Sequence, residues 1–423
     1  MIINTMIRFK KTSCTGSRGN LLKFLQMVLA LIVIVWMNNG LFAYAVPYIP
    51  NFIRYGLYFV WLGLAVVANN IFVKTLIIQA WPLLLFYFYV IFISFFANTS
   101  LVFYIKSISY LLMVYTIFLY YFNDKDRRFQ KYLCNFLILD CIAVGVNTYL
   151  QLQKNPLLTR YLSTGENTEF FPGVGSYSYF YPLVSIILLL TFLFLNQPKR
   201  KLSLLLAIVA AITLLIQSTF TIAIICVFIF ILLMFIMRYS NKYVFVFIAI
   251  SVIILFLMFQ GIFASLFMRL ADIQGIPYEV SVRFLEITDI FSGYSISGTD
   301  LNSRQGLYLQ SVDAFANNIL IGTVANNSNL YSAGGHSAWF DLLATFGLFS
   351  IPFFMFLYKS YKYCKNKIPA YFLPFVNVYW LYYICLGFIN TILFSSIFTI
   401  WFLFLPVFIN AYFKEENYDS DIV

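Results

Sequence analysis

Of the 423 residues, 62% are hydrophobic and only 10% are charged, with a formal net charge of +11. So thin a charged shell excludes a soluble domain. The basic residues flank apolar runs rather than forming one patch, which argues against a nucleic-acid partner.

Apolar runs of bilayer-spanning length fall near 24–45, 55–73, 75–96, 101–122, 133–152, 179–196, 202–217, 219–237, 243–261, 341–358, 370–388 and 391–412. The first, with its basic lead-in, its core Phe24–Trp36 and Ala43-Tyr44-Ala45, also fits a cleavable signal peptide. With the N-terminus cytoplasmic, 20 of the 27 Lys and Arg residues fall on inside segments. Six fall outside (Arg54, Lys154, Arg160, Arg269, Arg283, Arg304), and Lys106 lies within a span. That split has the direction the positive-inside rule demands. The fold expected is all-α: a polytopic membrane protein with about 12 transmembrane helices, forming a single domain over 1–423. Both termini are cytoplasmic in this reading, including the tail 413–423. No fixed-period repeat is present, and the aromatic residues are expected to be mostly lipid-facing and interfacial.

The six cysteines (Cys14, Cys134, Cys141, Cys226, Cys364, Cys385) lie on no outside loop and show no metal-ligand spacing. With a single histidine in the chain, neither a disulfide nor a metal site is expected.

Two outside segments are long enough to hold a site. The shorter, 153–178, carries Arg160, Glu166, Glu169 and the run Phe171-Pro172-Gly173-Val174-Gly175-Ser176-Tyr177-Ser178. The longer, 261–340, is too long for a structureless loop, so short helices packed on the membrane surface are expected. Phe263, Leu266, Phe267 and Leu270 have the spacing of an interfacial helix. Val282–Phe291 repeats that spacing, and Ser303 has the chemistry to cap a helix running through Arg304, Leu307, Val312 and Phe315.

Inside, the basic residues are 14 Lys and 6 Arg; outside they are 1 Lys and 5 Arg. Lysine suffices to set topology, whereas the guanidinium fork matches phosphate oxygens. The outside arginines therefore point to an anionic ligand, against the plainer alternative of pairing with nine outside acids, Asp341 among them. Arg304 at a helix start opposes the helix dipole, so local stability does not account for it; with the helix's free N–H groups it would suit a diphosphate. His336, flanked by Gly334-Gly335 and Ser337, is the sole imidazole, open to use as a general base or as a hydrogen-bond donor to phosphate. Lys106 and Asp140 are the clear intramembrane charges. By helical rise Lys106 lies roughly 7 Å from the outer end of its span and Asp140 roughly 10 Å from the inner end of its own. Lys106 can snorkel outward and add to an anion site. There is no phosphate-binding glycine loop, nucleophile elbow or redox cysteine pair. A transferase working outside, where nucleotide donors are absent, needs a donor already activated in the membrane.

Three stretches of the long loop carry a resemblance: Asn302-Ser303-Arg304-Gln305-Gly306-Leu307-Tyr308; Asn318-Ile319-Leu320-Ile321-Gly322; and Gly334-Gly335-His336-Ser337 with Gly347 eleven positions after the histidine. Together with the layout of spans, they resemble the O-antigen polymerase and ligase superfamily, most of all its Wzy-type polysaccharide repeat-unit polymerases. The chain departs from that pattern at Ile319, where the family often has Pro, and at Val324, where it has a second Gly.

The resemblance implies a metal-independent glycosyltransferase without cofactor in a bacterial cytoplasmic membrane. It would move a growing O-antigen, capsule or exopolysaccharide glycan from undecaprenyl diphosphate onto a lipid-linked repeat unit at the outer face. It implies that Arg304 holds the donor diphosphate and that His336 serves the acceptor hydroxyl. Ser303, Arg160, Arg283 and Lys106 would complete the anion site, and Gly322, Gly335 and Gly347 would shape the loop. Membrane lipids, a flippase and a chain-length regulator are the implied partners. A ligase with a different glycan acceptor and a lipid-linked oligosaccharide flippase are the alternatives.

Overall fold

Backbone polar groups in hydrocarbon can be satisfied only within a helix or a closed barrel, and the long apolar runs of this chain close into helices. The computed structural model describes residues 17–38, 40–41, 43–44, 48–97, 101–123, 127–164, 171–197, 200–239, 260–275, 281, 284–285, 288, 300–325, 333–391 and 395–413. Among them there is no strand. The first nine helices are α1 (Ser17–Asn38), α2 (Asn51–Ala68), α3 (Asn70–Ser94), α4 (Val102–Asn123), α5 (Arg128–Leu152), α6 (Leu158–Thr164), α7 (Tyr177–Asn196), α8 (Lys201–Gln217) and α9 (Thr221–Tyr239). Among the described residues there follow α10 (Gln260–Ala271), α11 (Asp300–Asn317), α12 (Ala338–Phe346), α13 (Ile351–Lys365), α14 (Leu373–Ile389) and α15 (Ser396–Phe413).

Eight helical stretches among the described residues are long and apolar enough to cross a membrane, and the chain is a polytopic helical membrane protein on that evidence. Three further apolar helices are shorter: Lys201–Gln217, Ile222–Met237 and Thr399–Phe413. The expected span 243–261 lies, but for its last two residues, outside the described residues.

Two expected spans take a different form. The run 24–45 stops being helical at Asn38; there the Asn38 side chain and the Leu41 backbone N–H both donate to the carboxylate of Asp140 on α5. A buried carboxylate with local donors outcompetes one more helical turn. The run 341–358 is instead a broken path, Ala338–Lys365. It is interrupted after α12 by a 3₁₀ turn, Gly347–Ser350, before Pro352 opens α13. The proposed interfacial helix is present as α10. Of Val282–Phe291, only 284–285 and 288 are described.

Side-chain hydrogen bonds join helices within the bundle, as between Tyr58 Oη and Thr116 Oγ1 (2.9 Å), and at its two ends. At one, Lys359 Nζ donates to the Ile78 carbonyl (2.5 Å), Tyr363 Oη to Asn123 Oδ1 (2.5 Å) and Tyr120 Oη to Gln26 Oε1 (3.2 Å). At the other, Tyr308 Oη donates to the Ile389 carbonyl (3.1 Å), Thr159 Oγ1 to the Ser218 carbonyl (3.2 Å) and Tyr89 Oη to the Ile321 carbonyl (3.2 Å).

The expectation that aromatic rings face lipid fails for many of them. Trp61, Tyr115, Tyr379, Tyr382, Phe86 and Phe353 are fully buried, and Phe86 meets Phe346 edge-on at 5.3 Å between ring centres. Lipid tails are as apolar as the protein interior, so helices associate through close packing rather than through exclusion of water. Large rigid rings serve that purpose well.

Candidate functional site

The site is built where α11, α12 and the end of α14 meet, and its hub is Asp341. Ser337 caps α12: its Oγ accepts from Phe340 N (3.3 Å) and donates to the Gly387 carbonyl (3.2 Å). This places Asp341, which is 5% exposed, in the first turn of α12, facing back along the incoming loop. Three donors converge on its carboxylate. Gly335 N reaches Oδ1 at 3.2 Å, Ser337 N reaches Oδ2 at 3.0 Å and Ser311 Oγ reaches Oδ1 at 2.6 Å. Gly334 N in turn donates to Ser311 Oγ (2.8 Å).

The two amides flanking His336 are thus held by one buried carboxylate, and the histidine itself is exposed. Ser311 belongs to α11, so the same carboxylate fastens the histidine loop to the helix that carries Arg304. Arg304 precedes Ser311 by seven residues, which puts the two positions on one face of α11 about 10 Å apart along its axis.

α11 begins at Asp300, which corrects the expected cap. Ser303 and Arg304 are the fourth and fifth residues of the helix, so Ser303 is not its N-cap. The amide of Arg304 belongs to the intrahelical ladder rather than to the free N–H groups of the first turn.

Glycines set the crossings. Gly322 (φ +79°) lies against the backbone of Thr345 and Phe346, where a Cβ would strike the Thr345 carbonyl. Gly347 (φ +57°) lies against the Ile319 and Leu320 carbonyls, and Leu348 N donates to Ile319 O (2.8 Å). The turn after α11 and the end of α12 therefore touch backbone to backbone. Gly335 has φ +82° with open space beside it, so it serves the loop's turn rather than a crossing. Replacing Gly347 by Val is expected to lower stability by roughly 1–3 kcal/mol from backbone strain alone. A thermal unfolding midpoint equal to that of the unmodified protein would contradict this.

The shorter loop is anchored beside the longer one. Arg160 sits half-buried on α6. One turn later, Ser163 Oγ accepts from Tyr177 N (3.0 Å). From α5, Thr148 Oγ1 accepts from Gly175 N (2.6 Å) and Asn147 Nδ2 donates to the Gly173 carbonyl (3.0 Å). Tyr177 Oη then donates to Asn390 Oδ1, and the Asn390 carbonyl accepts from Ala338 N (3.2 Å). Tyr177 and Asn390 thereby bridge the Arg160 loop to the His336 loop.

The other sequence candidates fare differently. Lys106 is exposed on α4, and no hydrogen bond among the described residues joins it to either loop. Arg283, Glu166 and Glu169 lie outside the described residues. Asp140 is buried on α5 and meets Asn38 and Leu41, not Lys106.

Sequence reasoning missed Asp341, Ser311, Tyr177 and Asn390. The first had a signal: a serine cap followed by an acidic residue in the first helical turn. The others depend on long-range pairing that no local pattern announces. No protein-family model matches this chain, and no curated protein matches it.

Proposed function

We propose that the chain is a glycosyltransferase of the polysaccharide repeat-unit polymerase type, acting on lipid-diphosphate-linked glycans at the outer face of the cytoplasmic membrane. The observation that carries this reading is the clamp of the exposed His336 loop onto the Arg304 helix through Asp341 and Ser311. The bridge from Tyr177 through Asn390 adds the Arg160 loop to the same end of the bundle. The elements that Asp341 and Asn390 join carry basic residues from two segments, Arg160 and Arg304, and these suit a substrate whose charge sits in a diphosphate.

In the reaction, the acceptor hydroxyl oxygen bonds to the anomeric carbon of the donor glycan. The anomeric C–O bond to the lipid diphosphate breaks, and the lipid diphosphate leaves with the bonding electron pair. Arg304 stabilises the charge that grows on that leaving group. His336 either takes the acceptor proton or donates a hydrogen bond to the phosphate, in which case that proton passes to the departing lipid diphosphate. Twelve spans with both termini inside complete the reading, since this puts both loops on the side where lipid-linked repeats are joined.

A ligase would share this chemistry and differ in its acceptor. A flippase would line a central cavity with several charged residues along its spans, whereas the spans of this chain offer only Lys106 and Asp140. Purified protein given defined lipid-diphosphate repeat units, without metal or nucleotide, is expected to elongate them; an unchanged repeat unit would refute the assignment. A reporter active on only one side of the bilayer, inserted between 326 and 332, is expected to register outside the cytoplasm. A cytoplasmic signal would refute it equally.

A further inference from the structure

Between α5, α7, α8 and α15 lies a cavity of about 650 Å³ whose lining includes no charged side chain. On α5 it runs from Cys134 to Tyr149, and on α7 from Tyr179 to Leu193. By helical rise that is roughly 20 Å, about two-thirds of the thickness of a bilayer's hydrocarbon core. Ile142 and Val146 on α5, with Ala207 and Ala210 on α8, line the cavity and are exposed. It is a slot standing upright in the membrane, open sideways between α5 and α8.

Small residues give the slot its width. Ala207, Ala210 and Ala211 form its wall on α8. In membrane proteins such residues usually let two helices pack closely, but here they face space. Atoms on the wall of a void lose their dispersion contacts. A hydrocarbon chain restores those contacts and needs no polar partner, whereas a water molecule needs several. The volume is about four times that of the engineered cavity that takes up benzene, so it has room for roughly 25 carbon atoms.

One end of the slot meets the segment that carries Arg160. Tyr149, which lines that end, adjoins Thr148, whose Oγ1 accepts from Gly175 N (2.6 Å). On the opposite side, the lining residue Leu214 accepts through its carbonyl from Ser218 N (3.1 Å). The Ser218 carbonyl in turn accepts from Thr159 Oγ1 of α6 (3.2 Å). Thus α6 follows the end of α5 and is fastened to the end of α8, the two helices that flank the opening. Arg160, next to Thr159, sits on this crosspiece.

We propose that the slot holds the isoprenoid tail of the lipid-diphosphate substrate whose head meets Arg160. The choice of an isoprenoid rests on the functional reading above, which supplies a lipid with a diphosphate head. Its methyl branches also need more width than a straight acyl chain, and the alanine wall provides it.

The test uses full-length purified protein and a long-chain isoprenoid diphosphate bearing a photoreactive diazirine in its tail. Crosslinks are expected on 134–149 and 207–214. Unlabelled isoprenoid diphosphate should displace them, and the same amount of phosphatidylglycerol should not. Equal displacement by phosphatidylglycerol overturns the proposal, since bulk lipid then fills the slot; this arm needs no variant. Ala207→Phe combined with Ala210→Phe, neighbours on one face of α8, fills the slot and should lower crosslinking several-fold. Leu206→Phe, exposed on α8 and outside the lining, should leave it unchanged. Undiminished crosslinking in the double variant overturns the proposal. Elongation is then compared for repeat units on a long and on a truncated isoprenoid tail. The unmodified protein should show the lower KM for the long tail, and the double variant the same KM for both. A preference for the long tail that survives in the double variant overturns the proposal. If the unmodified protein elongates neither substrate, the functional reading falls, and crosslinking still decides what occupies the slot.

Discussion

Cells carrying Arg304→Ala or His336→Ala are expected to make no polymer and to accumulate single lipid-linked repeat units. Losing a preorganised cation at a developing negative charge costs about 10²–10³ in rate. Losing a positioned general base costs about 10²–10⁴. Either loss exceeds what slow synthesis can conceal as a normal ladder of chain lengths. Single repeats should accumulate because neither change touches their assembly on the cytoplasmic side. A conservative exchange separates the two roles left open for the histidine. His336→Gln keeps a hydrogen-bond donor and removes the base, so partial activity in that variant assigns His336 to the phosphate, and none assigns it to the acceptor proton. A wild-type ladder from Arg304→Ala and His336→Ala together would remove both residues from the reaction.

Asp341→Ala is expected to lower turnover by about 10²-fold, the effect of misplacing a reacting group by roughly 1 Å. The substitution takes the shared acceptor away from Gly335 N, Ser337 N and Ser311 Oγ. Water can reach the Gly335 amide, which is exposed, but not that of Ser337, which is buried, so the loop should loosen with some loss of stability. Asp341→Asn leaves one acceptor oxygen and turns an NH₂ towards another donor, and should fall between the two. Ser311→Ala removes only the tie to α11 and should cost less than either.

Because the chain has one histidine, protein labelled at histidine gives a single set of imidazole resonances. In Asp341→Ala that set should shift and sharpen as the ring gains freedom, whereas a purely structural defect elsewhere would leave it in place. Unchanged resonances together with unchanged turnover would show that Asp341 does not position His336.

Composition and apolar run length, by themselves, determined that the chain is a polytopic helical membrane protein, because hydrocarbon leaves the backbone no alternative. Helical spacing of Phe263, Leu266, Phe267 and Leu270 located α10, and the family resemblance singled out the glycines at 322, 335 and 347. A left-handed turn or a backbone-to-backbone crossing tolerates little else, so its signature is local.

What tertiary structure decided is where polar atoms find partners. Asp140 looked like an isolated intramembrane charge, and proves to be the acceptor that ends α1 at Asn38. Asp341 counted as one outside acid among nine, and proves to hold the amides on both sides of His336. Tyr177 and Asn390 are separated by 213 positions, and their pairing joins the two loops. In hydrophobic surroundings every residue type that faces lipid also packs inside, so periodicity does not tell a buried ring such as Tyr115 from an exposed one such as Phe88. Few polar groups are present, each must be satisfied, and their partners come from whichever helix lies alongside.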